Sequence, residues 1–176
     1  NYKVERELVN LTSKRIIKPP LYRVWDHDIP CGDHLVPVRI FAPPDGPNHP
    51  ILIFFHGGGW VTGNIDSYDG VCADMAHLTR RMVVSVDYRL APEYKFPAAP
   101  EDCYAVAREI YLNDSLLGTR PEEIALIGDS AGGNLAAAVS LMARDRGEFL
   151  PAKQILIYPA TAADHSETSP FPSVHE

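Results

Sequence analysis

Four short runs of the chain are apolar almost without a break: ILIFF (51–55), MVVSV (82–86), IALIG (124–128) and QILIY (154–158). A strand with one wet face alternates apolar and polar residues, whereas a strand covered on both faces does not. The four runs therefore predict strands buried on both faces. Between them, Ser67–Thr79, Ala99–Leu112 and Gly132–Arg146 read as helices, with Asp66 or Ser67 as the cap of the first. Upstream, Val36, Val38 and Ile40 alternate with polar neighbours. Tyr22–Ile29 and Leu35–Phe41 accordingly predict two further strands, turning near Pro30 and Gly32. Val4, Leu8 and Leu11 fall at helical spacing within 2–12, and Pro19-Pro20 closes that segment. Residues 42–50, APPDGPNHP, form a loop.

Buried strands alternating with helices predict an α/β class fold, a mostly parallel sheet with helices on both faces. In such sheets ligands bind outside the carboxyl ends of the strands. The length, 176 residues, suits one domain with a real core.

Composition narrows the function. Charged residues make up 22% of the chain and the formal net charge is -7, with basic residues only in isolated pairs such as Lys14-Arg15 and Arg80-Arg81. This excludes the basic footprint of a nucleic-acid binder. No apolar run is long enough to span a bilayer, so no membrane partner is expected. Cys31, Cys72 and Cys103 are scattered and odd in number. They read as reduced, buried or half-buried thiols in a cytoplasmic compartment, without C-x-x-C metal spacing; the reading expects no metal.

Two motifs sit at predicted carboxyl ends of strands. His56-Gly57-Gly58-Gly59-Trp60 follows ILIFF directly. Successive glycines leave backbone N–H groups unshielded, and such groups can stabilise a developing oxyanion. Gly128-Asp129-Ser130-Ala131-Gly132 follows IALIG and opens a helix-forming run of small residues. A G-x-S-x-G sequence between strand and helix sets its serine on a sharp turn as a nucleophile. The first N–H of the helix, from Ala131, faces the same oxyanion.

HGGGW (56–60), DYRLAPE (87–93), FPAAPED (96–102), GDSAGGN (128–134) and YPA (158–160) occur in this order. The set resembles the hormone-sensitive-lipase-like carboxylesterases of the α/β-hydrolase superfamily, along nearly the whole chain. The resemblance implies a truncated α/β-hydrolase fold, with residues 1–18 part of a cap and 19–176 the N-terminal portion of the core. It implies hydrolysis of short- to medium-chain carboxylic esters through a serine acyl-enzyme, with no cofactor. Ser130 becomes the nucleophile, and Gly58, Gly59 and Ala131 the oxyanion donors. Trp60, beside the glycines, is expected to touch a small-molecule ester.

The resemblance also implies an acid in a D-P-x-x-D-like stretch and a later histidine, and neither has a counterpart here. The chain alone is therefore expected to be inactive. Its last strand is expected to be an uncovered edge, paired with a missing C-terminal half or a second copy. A non-catalytic ester- or acyl-binding module is the alternative. Among resident groups, His56 and Asp129 read as braces of their turns. Asp87, Arg89 and Glu93 read as an ion-pair and turn network, and Glu101-Asp102 as helix-opening charges. Asp164 and His175 repeat the Ser…Asp…His order but stand on a proline-broken tail, and read as solvated residues.

Overall fold

The computed structural model describes residues 1–13 and 18–161. Six strands form one sheet: β1 (Arg23–Cys31), β2 (His34–Ala42), β3 (Ile51–Phe55), β4 (Met82–Val86), β5 (Ile124–Asp129) and β6 (Lys153–Ile157). Their order across the sheet is β1-β2-β4-β3-β5-β6. β1 and β2 form an antiparallel hairpin, and β2 runs antiparallel to β4. β4, β3, β5 and β6 are mutually parallel. The helices are α1 (Tyr2–Thr12), α2 (Asp69–Thr79), α3 (Ala98–Leu112), the single turn α4 (Asp114–Leu117) and α5 (Ala131–Arg146).

The unbroken apolar runs fold as their pattern requires. Every residue of β3 and β4 is buried. Alternate side chains go to opposite faces. Ile51, Ile53 and Phe55 join Val84, Val86 and Leu126 on one face, under α3 and α5. Leu52 and Phe54 join Val83, Ala125 and Ile127 on the other, under Cys72, Ala73 and Ala76 of α2. The sheet thus separates two cores, and both α/β layers are present.

β6 lies at the sheet edge with Ile155 43% exposed, as expected of the last strand. The expected cap of α2 is corrected. The first α2 residue is preceded by Tyr68, which makes no side-chain cap bond. Asp66 pairs with Arg39 (2.8 Å), and Ser67 Oγ accepts from the Asn64 N–H (2.9 Å), so both are committed before the helix starts. In α1 the stripe Val4, Leu8 and Leu11 is exposed. The helix docks by polar groups instead: Arg6 donates to Val61 O (2.6 Å), Ala91 O (2.8 Å) and the Glu93 carboxylate, and Asn64 Nδ2 donates to Asn10 Oδ1 (2.9 Å).

Candidate active site

The parallel register sets β3 beside β5, pairing Phe55 with Gly128. The glycine loop and the serine turn therefore leave the sheet side by side. Ser130 stands between β5 and α5 with φ 51° and ψ -115°. A positive φ is unfavourable for a residue with a Cβ, and such strain is held only where surrounding contacts fix it. Here the Ser130 N–H donates to Ile157 O (2.9 Å), while its carbonyl accepts from Asn134 N (3.1 Å) and Ala160 N (3.0 Å). Asn134 Nδ2 adds a bond to Ala160 O (2.7 Å).

The small residues of the turn allow close approach. A Cβ on Gly132 would lie 1.8 Å from Phe55 O, and one on Gly128 would lie 2.3 Å from Gly132 O. The start of α5 thus rests on the end of β3 at a distance only glycine permits. In the loop, Gly58 has φ 121°, and its carbonyl accepts from the N–H of Val61 (3.0 Å) and Thr62 (2.9 Å). Trp60, at φ 60°, follows at the mouth of the loop. Among the described residues the N–H groups of Gly58, Gly59 and Ala131 make no hydrogen bond.

Asp129 ties loop to turn. Its Oδ1 accepts from the Gly57 N–H (2.9 Å), and its Oδ2 accepts from the Tyr68 hydroxyl (2.9 Å). Burial and the neighbouring Asp129 charge raise the Tyr68 phenol above its ordinary range, so it stays protonated and donating. His56 is fully buried. Its Nδ1–H donates to Gly57 O (2.7 Å), and its ring stacks on Tyr88 at 4.3 Å. The Tyr88 hydroxyl donates to His56 O (2.7 Å). Burial lowers the His56 pKa to about 4, so the ring is neutral at neutral pH. The bracing roles expected of His56 and Asp129 agree with these contacts. The part played by Tyr68 was not legible: it arrives from the start of another helix, and no local spacing announces it.

The acidic and basic residues of DYRLAPE do not pair with one another, as the sequence suggested. Asp87 accepts from Ile65 N (3.3 Å), Arg89 pairs with Asp102, and Glu93 pairs with Arg6 (2.9 Å). Asp102, expected to open the helix as a favourable charge, lies beyond the first turn of α3, where only Glu101 is acidic. It is fully buried and receives the Arg89 guanidinium and backbone N–H. Trp60 and Gly59 border an apolar groove of about 680 Å³, walled by Phe96, Leu135, Leu141 and Met142. Asp164, His165 and His175 lie outside the described residues.

The fold agrees with the comparisons. The alpha/beta hydrolase fold family matches residues 52–175. The chain belongs to that family. Carboxylesterase NlhH of Mycobacterium tuberculosis is 45% identical over 132 residues, 74% of this chain and 41% of the relative. An arylesterase of Saccharolobus solfataricus is 39% identical over 165 residues, 93% of this chain and 54% of the relative. The solved hyperthermophilic esterase from Pyrobaculum calidifontis superimposes with a TM-score of 0.86 at 44% identity, over 97% of this chain and 55% of the other. The chain thus spans about half the length of the relatives it matches. No helix among the described residues is long and apolar enough to cross a membrane.

Proposed function

We propose that the protein is a serine carboxylesterase in which Ser130 is the nucleophile. The observation that carries this reading is the strained Ser130 turn beside a glycine loop bonded to it through Asp129, with the Gly58, Gly59 and Ala131 N–H groups uncommitted. In the reaction, Ser130 Oγ attacks the ester carbonyl as its proton passes to a base. The three N–H groups take the negative charge that develops on the carbonyl oxygen, a stabilisation of several kcal/mol per well-placed donor. The alcohol leaves, and water releases the acid from the acyl-enzyme. His56, beside the glycine loop, is not the base: it is buried and turned toward the Gly57 carbonyl. The base and its carboxylate are supplied from outside the described residues.

The apolar groove beside Trp60 supports esters with short to medium acyl chains, and the relatives named above are esterases. α1, bonded to the Trp60 loop through Arg6, fits a cap over the site. The exposed β6 edge suits pairing with a further strand, from a C-terminal half or a second copy. Free Cys31, Cys72 and Cys103 suit a reducing, cytoplasmic compartment.

The test is p-nitrophenyl butyrate hydrolysis by the full-length protein beside Ser130→Ala. Turnover that vanishes in the variant supports the reading. Turnover that survives Ser130→Ala, or its absence from the wild type, overturns it.

A further inference from the structure

The β1–β2 hairpin turns through two residues, Gly32 (φ 62°) and Asp33, so that Cys31 and His34 stand paired across its tip. This tip packs beside Asp102 of α3. The His34 Nε2 atom lies 2.8 Å from Asp102 Oδ1, and Cys31 Sγ lies 4.0 Å from the same oxygen. All three atoms fall within 4.8 Å of one another. The other ring nitrogen of His34, Nδ1, faces the Asp33 carboxylate at 3.3 Å.

We propose that Cys31, His34 and Asp102 form a binding site for a divalent cation of the zinc class. A thiolate, an imidazole and a carboxylate are the donor types that Zn²⁺ takes, commonly with water in the fourth position. The His34 side chain is partly exposed, so an ion and its water reach the site from solvent. Asp33 supplies what a metal-bound imidazole requires behind it, a carboxylate that holds the ring's orientation. Arg89 is the evident objection, because its guanidinium already pairs with Asp102. Arg89 Nη2 (2.8 Å) and Nε (3.1 Å) donate to Oδ1 and would give way to the ion, while the Arg89 backbone N–H and Nε, both 2.9 Å from Oδ2, keep Arg89 attached. Charge also balances: the Asp33 and Asp102 carboxylates and the Cys31 thiolate offset a divalent ion plus the guanidinium. Cys31 releases its thiol proton to solvent as the sulfur–metal bond forms, and no redox step is involved.

The scattered cysteines lack C-x-x-C spacing and by themselves predict no metal. The cluster instead joins a C-x-x-H turn to an aspartate some seventy residues on, which only the fold brings near. A bound ion would pin the hairpin to α3 and to the segment after β4.

The experiment is titration of the metal-free protein with Co²⁺, read by the thiolate-to-cobalt charge-transfer band, with Zn²⁺ as competitor. Cys72 and Cys103 are fully buried, so a band reports Cys31. One equivalent is expected to bind, Zn²⁺ to abolish the band, and Cys31→Ser to prevent it. Asp33→Asn, at a fully exposed side chain, should weaken binding about tenfold by loosening His34. Absence of the band in excess cobalt, or its persistence in Cys31→Ser, overturns the site. Unchanged affinity in Asp33→Asn together with unchanged affinity in His34→Gln overturns it as well.

Discussion

Gly132→Ala sets two opposed effects against each other. Within a helix, alanine is favoured over glycine by about 1 kcal/mol, so propensity alone predicts a more stable protein. The added methyl, however, would lie 1.8 Å from Phe55 O, 2.5 Å from Phe55 C and 2.7 Å from His56 O. All three are backbone atoms at the end of a central strand, and none can rotate away. The start of α5 must retreat by more than an ångström, which loosens Leu135, Ala136 and Val139 from the core they fill. Overpacking of this kind costs about 1–3 kcal/mol and occasionally more, and a backbone obstacle places this site at the upper end. The net expectation is a loss of about 2 kcal/mol, a fall in Tm of roughly 4–8 °C for a domain of this size. Gly133→Ala is the control, because its nearest contacts are 3.1 Å away and a small shift accommodates them; its Tm should change far less. Thermal unfolding followed by circular dichroism measures both. An unchanged or raised Tm in Gly132→Ala would refute the close β3–α5 approach on which the Ser130 turn depends.

Other outcomes follow from the same contacts. Tyr68→Phe removes the hydroxyl that donates to Asp129 Oδ2, a hydrogen bond to a charged acceptor; chemical denaturation should show a loss of about 1.5–3 kcal/mol. Arg89→Met leaves the fully buried Asp102 without its guanidinium, and should destabilise by about 3–5 kcal/mol in the same assay. His56 gives a pH dependence. Its folded pKa of about 4 lies below the ordinary 6.5, so the unfolded chain binds a proton that the folded one refuses. The resulting stability is present in full above pH 6.5 and drains away as pH falls toward 4, by about 3 kcal/mol. His56→Gln should flatten that slope; an unaltered slope would show that His56 is not its source.

The sequence showed the centre of the fold more clearly than its edges. Strands β3 and β4 fall on the predicted residues, and α3 and α5 begin within one residue of expectation, because unbroken apolar runs and long helical spacing are local signals. The Ser130 turn and the glycine loop were legible for the same reason: each is a short word beside a strand. The failures are matters of partnership. QILIY has the composition of a covered strand, and only the family resemblance, not the run of five residues itself, marks it as an edge that leaves Ile155 in solvent. The apolar stripe of α1 was visible, whereas its docking through Arg6 depends on carbonyls at 61 and 91 that no spacing relates to residue 6. Asp102 looked like a helix-opening charge because its partners, Arg89 and His34, come from the β4 exit and the hairpin tip.

The same distinction bears on how the site is held. If the glycine loop and the serine turn were independent, each would be positioned only by its own strand, and side-chain bonds between them would be incidental. Instead a single carboxylate, on the residue before Ser130, takes the first free N–H of the loop and the hydroxyl of Tyr68. Tyr68 in turn faces the His56 ring at 5.5 Å, and His56 stacks on Tyr88 at the exit of β4. The ends of β5, β3 and β4 are therefore linked laterally, on top of the ladder that joins the strands themselves. Oxyanion stabilisation depends on donors that do not reorganise during the reaction. A loop of consecutive glycines has the least intrinsic reason to hold still. The Asp129–Tyr68–His56–Tyr88 chain compensates for that freedom, which explains why a fully buried imidazole and the hydroxyls of Tyr68 and Tyr88 sit where aliphatic side chains would have packed as well.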